Sequence, residues 1–60
     1  MNIPIASRVK LKVDKTFGNK TIKKDTEGIV KDNLMDGWNK VRFIGDDTDR
    51  LIHKSDLEII

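Results

Sequence analysis

Cysteine is absent from this 60-residue chain, and histidine and proline occur once each. Without cysteine there is no disulfide framework, no thiolate-ligated zinc or iron–sulfur site and no thiol nucleophile. Aromatic residues are scarce too, at one Trp and two Phe with no Tyr. The longest apolar runs are two or three residues, so no segment spans a bilayer as a helix. The stretch Met1-Asn2-Ile3-Pro4-Ile5-Ala6-Ser7 lacks the apolar core of a secretory signal. A cytoplasmic protein without membrane insertion is therefore expected.

Charged residues make up 37% of the chain, a level compatible with disorder, but regularly spaced apolar positions argue that it folds. One domain over residues 1–60 is expected, with residues 1–6 a flexible lead. A core this small leaves little surface for a deep catalytic pocket. The charge is unevenly placed along the chain. Residues 1–24 carry seven Lys/Arg against Asp14 alone, a net +6, whereas residues 25–60 carry five against nine acids, a net −4. Such asymmetry makes a basic face only if folding keeps the two parts separate.

Period-two alternation is clearest in Arg8-Val9-Lys10-Leu11-Lys12-Val13-Asp14. It predicts a strand with Val9, Leu11 and Val13 inward and a basic outer face. Residues 14–26 read as a long loop with a turn at Gly18-Asn19, anchored by Phe17 and Ile22. A second strand opens at Glu27-Gly28-Ile29-Val30, where the glycine marks a bend or a close backbone approach. Asp36-Gly37 signals a hairpin, leading into Trp38–Ile44 with Val41 and Phe43 inward and Trp38 on the side of Lys40 and Arg42. A turn over Gly45–Asp49 precedes a fourth strand, Arg50–Lys54. Ser55-Asp56-Leu57 suits one 3₁₀ turn, and Leu57–Ile60 closes the chain with Leu57 and Ile59 inward. The expected fold is all-β: a small five-stranded antiparallel barrel with a long first loop and a 3₁₀ link before the last strand.

On Arg8-Val9-Lys10-Leu11, Thr26-Glu27-Gly28-Ile29-Val30, Val41-Arg42-Phe43 and Ser55-Asp56-Leu57-Glu58-Ile59-Ile60, the chain resembles the SH3-like barrel superfamily from Ser7 to Ile60. Two branches are most similar. One is the KOW-type modules of transcription and ribosomal proteins. The other comprises small accessory proteins of photosynthetic electron transport: a family of photosystem I accessory subunits, the ferredoxin–thioredoxin reductase variable chain and a related component of the photosynthetic NADH-dehydrogenase-like complex. The resemblance implies the barrel architecture; the superfamily hosts many unrelated functions, so it assigns no functional residue.

Catalytic chemistry finds no constellation. His53, Ser55 and Asp56 are neighbours along a strand and turn, which is not the arrangement of a triad, and His53 reads as structural or surface. Asp46-Asp47-Thr48-Asp49 gathers hard oxygen ligands, but the spacing is not that of a calcium loop and a solvated hairpin accounts for it. The four isolated glycines form neither a P-loop nor a dinucleotide fingerprint. No enzyme activity, cofactor, metal or small-molecule substrate is expected. What remains is a basic face of Arg8, Lys10, Lys12, Lys15, Lys20, Lys23 and Lys24, with Trp38 as its aromatic contact. The expected function is a binding module, an accessory or regulatory protein docking on a larger protein assembly. The alternatives are a KOW-like nucleic-acid-binding module contacting phosphates through the same lysines and a phage-type inhibitor of a host factor.

Overall fold

A computed structural model of the chain describes residues 2–60. Its strands are β1 (Arg8–Leu11), β2 (Lys15–Phe17), β3 (Lys20–Ile22), β4 (Glu27–Asn33), β5 (Trp38–Phe43), β6 (Asp49–His53) and β7 (Leu57–Ile59). Single 3₁₀ turns at Met35–Gly37 and Lys54–Asp56 precede β5 and β7. Five strands form one antiparallel sheet in the order β6-β5-β4-β1-β7. They correspond to the five expected from sequence.

The expected loop over residues 14–26 is corrected by a hairpin of its own, β2–β3, paired Lys15↔Ile22, Thr16↔Thr21 and Phe17↔Lys20. Three-residue strands are too short for alternation to stand out. Their turn is built at Gly18, whose φ of 62° suits the first central position of a two-residue hairpin loop. The hairpin folds back as its two anchors require: Ile22 is buried in the core and Phe17 packs against it.

One face of the sheet carries the core. Val9, Leu11, Val30, Val41, Phe43, Ile52 and Leu57 are buried, and register explains why they meet. Val9 faces Gly28 on β4, which faces Phe43 on β5. Val30 faces Val41, and Leu11 faces Leu57. Gly28 is where the strands crowd: a Cβ there would lie 2.7 Å from the Arg42 carbonyl oxygen and 2.9 Å from a Phe43 ring carbon. Only a residue without a side chain lets Phe43 close over β4.

Two inward expectations are corrected. Val13 is 44% exposed because β1 ends at Leu11; the Lys12 amide bonds to the Asp56 carbonyl, and the chain then leaves the sheet. Ile59 is 57% exposed. It pairs with Val9, but β7 is the last strand in the order and has no sheet neighbour on its other side.

The N-terminal segment, expected to be flexible, is tied down over its described residues. Ile3 is buried, and the Ala6 amide and Ser7 carbonyl bond to the backbone of Val30. Beside it lies a buried polar joint. Asn33 Nδ2 donates to Asn39 Oδ1 at 2.7 Å and to the Ile3 carbonyl at 2.7 Å. Asn39 Nδ2 donates to the Gly37 carbonyl at 3.2 Å. Asn39 therefore occupies a fully buried position without an unsatisfied group, as burial of an amide demands.

Gly28→Ala is expected to lower stability by about 1–3 kcal/mol, the usual cost of overpacking a closed core. The check is a drop in urea midpoint with an unchanged slope; a wild-type midpoint would show that the Phe43–Gly28 contact has room to spare.

Candidate docking surface

Pairing divides the expected basic face. Arg8, Lys10 and Lys12 do point away from the core, but β1 lies between two strands that bring acids beside it. Arg8 Nη2 meets Glu27 Oε1 at 2.8 Å. Lys10 sits across from Glu27 on one side and Glu58 on the other, with its ammonium 3.9 Å from Asp25 and 4.0 Å from Glu58. Lys15 binds Asp56 at 2.7 Å, which fastens the hairpin to the 3₁₀ turn before β7. The acids of the second half of the chain thus interleave with the cations of the first, and β1 carries no net basic stripe.

Lys12, Lys20, Lys23 and Lys24 are different. All four are exposed, and none makes a salt bridge among the described residues. Local structure holds them at one end of the molecule. The Asp25 amide bonds to the Leu11 carbonyl and the Leu11 amide to the Thr26 carbonyl, so Lys24 and Lys12 flank the same junction. Asp14 accepts the Lys24 amide at 2.7 Å. Residues 23–26 form a tight turn closed by Thr26 N–H to the Lys23 carbonyl at 3.2 Å, with Asp25 at a φ of 72°.

Trp38 is not part of this group. Lys10 is level with Glu27, and the Glu27 carbonyl takes the Ile44 amide. Trp38 lies six residues back along the chain from Ile44, roughly 20 Å at the rise of a strand. It is 41% exposed and meets His53 edge-on, with ring centroids 5.1 Å apart. His53 Nδ1 accepts the Ser55 amide, and Nε2–H donates to the Asp36 carbonyl at 2.9 Å. That bonding ties the Asp36-Gly37 turn to the turn at Lys54–Asp56.

Sequence reasoning missed the ion pair that supports the lysine end. Arg50 grips Asp46 through two bonds, Nε to Oδ2 at 2.7 Å and Nη2 to Oδ1 at 3.2 Å, with the Asp46 side chain only 3% exposed. Its guanidinium stands 5.1 Å over the Phe17 ring, linking β6 to the hairpin. The four-residue spacing of Asp46 and Arg50 was legible, but only on a helix would that spacing have drawn notice. The expected solvated turn is corrected accordingly: Asp46 binds Arg50, and Asp49 binds Arg42 Nε at 2.7 Å. The Arg50 hydrogen bonds hold the Asp46 carboxyl below its ordinary value of 3.8; burial opposes this, and the charges of Arg50 and Lys20 reinforce it.

Two shallow depressions of about 220 Å³ each mark the surface. One lies on the outer face of the sheet between Arg8 and Arg42, floored by Ile29. The other separates the β2–β3 hairpin from the β5–β6 turn, and Lys20 and Lys23 line it. Among the described residues, no three His, Asp or Glu side chains gather as a metal ligand set, and no helix is long and apolar enough to cross a membrane. No protein-family model, curated protein or solved structure matches the chain.

Asp46→Asn is expected to lower the urea midpoint at neutral pH. Because the folded-state carboxyl value is depressed, its stabilisation is fully present above about 3.8 and drains as pH falls through the folded-state value. The gap between wild type and variant should therefore narrow below that pH; a gap that is constant down to strong acid would sink the assignment.

Proposed function

We propose that this chain is a non-enzymatic SH3-like barrel that docks on a larger protein assembly through its lysine end. The strand order β6-β5-β4-β1-β7, the hairpin that packs beside it and the 3₁₀ turn before β7 support the barrel reading. The observation that carries the docking reading is the grouping of Lys12, Lys20, Lys23 and Lys24 without salt bridges, while Arg8, Lys10 and Lys15 are engaged by the chain's own acids. Exposed cations at one end steer an acidic protein surface into register and speed its encounter.

Nucleic acid is served less well. Phosphate tracking wants a continuous basic groove with aromatic platforms in it, whereas acids interrupt β1 and Trp38 stands at the far end. The depressions fall short of the roughly 300–1,000 Å³ of small-molecule sites, which supports docking over catalysis.

The double variant Lys12→Glu/Lys24→Glu, with both changes at exposed positions, should weaken retention of the protein captured from native extract by at least about tenfold. Mixed-sequence RNA and DNA should bind neither form, even at low salt. Unchanged protein capture, or salt-sensitive nucleic-acid binding lost in the variant, would overturn the reading.

A further inference from the structure

The cleft beside the β2–β3 hairpin has features that the rest of the lysine end lacks. Its lining brings together Lys20, Thr21 and Lys23 from the hairpin side, Thr26 from the following turn, and Gly45 and Asp46 from the β5–β6 turn. Both walls are fixed. Thr21 Oγ1 is hydrogen-bonded across the hairpin to Thr16 Oγ1 at 3.2 Å, and the 23–26 turn is closed on itself. Opposite, the Asp46 amide bonds to the Phe43 carbonyl at 3.1 Å while Arg50 holds the Asp46 carboxylate. A lining acid would ordinarily repel an anion. Here both carboxylate oxygens are already hydrogen-bonded to a guanidinium, so the cleft with its Arg50 backing keeps two positive charges in excess.

We propose that this cleft is a carboxylate subsite, which takes one Asp or Glu side chain of a protein partner. Its volume of about 220 Å³ suits one side chain rather than a cofactor. Two lysines supply charge-assisted donors, and the threonine hydroxyls are able to supply neutral ones. Asp46 sets the selectivity. A singly charged carboxylate is drawn in by the lysines, whereas a doubly charged phosphate suffers twice the repulsion from the same neighbouring acid. The inference rests on the docking reading for the source of the carboxylate but not for the existence of the site.

Amide-resolved NMR titration with sodium acetate, against sodium chloride at matched ionic strength, tests the site directly. Saturable shifts confined to Thr21, Lys23, Thr26 and Gly45 are expected with acetate and not with chloride. Lys20→Gln/Lys23→Gln should weaken that binding by about tenfold, the loss of one to two charge-assisted contacts, with the remaining spectrum unchanged. Inorganic phosphate binding more tightly than acetate would overturn the proposal and turn attention to a nucleic acid. Shifts scattered over all exposed lysines, or matched by chloride, would also overturn it. Wild-type mapping needs no variant to fold. Acetate binding with unimpaired capture by Lys12→Glu/Lys24→Glu would retire the docking reading and leave the subsite standing.

Discussion

Closure of Phe43 over Gly28 is the constraint from which the remaining architecture follows. β4 has to be bare at that point because β5 crosses it within van der Waals distance, and on its other side the same residue faces Val9 of β1. Three central strands are thereby locked into one register. A one-residue slip would turn Val9, Val30 and Val41 outward together, which is why a strand with one buried face is so strongly specified. The outer strands add less. β7 buries Leu57 and leaves Ile59 wet, and β6 buries Ile52 while Leu51 stays half-exposed.

The same register decides the electrostatics. Placing β1 between β4 and β7 sets Lys10 between Glu27 and Glu58, and Arg8 within reach of Glu27. Individually, surface pairs of this kind contribute about 0–1 kcal/mol. Collectively they erase a charge stripe that the linear chain displays. The lysines of that stretch without salt bridges belong to the segment that leaves the sheet, where no neighbouring strand supplies an acid. Docking capacity therefore sits on the hairpin end and not on the broad face of the sheet.

That hairpin is held by contacts spread along its length. Ile22 enters the core, Phe17 lies under Arg50, and Lys15 reaches Asp56. Each contact joins a different neighbour, so a two-stranded ribbon that would be marginal alone becomes one wall of a rigid cleft. Arg50 links support to function: the guanidinium that packs on Phe17 also neutralises the acid lining the cleft.

By itself the amino-acid order determined an all-β chain, the strands β1, β4, β5, β6 and β7, the turn at Asp36-Gly37 and the parity that buries Val9, Leu11, Val41 and Phe43. These depend on period-two alternation and turn chemistry, which act between residues close in sequence. Tertiary structure alone decided that residues 14–26 pair as a hairpin, that Val13 and Ile59 fall outside the core, and that Trp38 stands apart from the lysines. It also decided which cations are engaged, since an ion pair such as Lys15–Asp56 joins groups that only the folded chain brings within reach. Local pattern fixes which way a side chain points; what it meets there depends on the strand that folding places alongside.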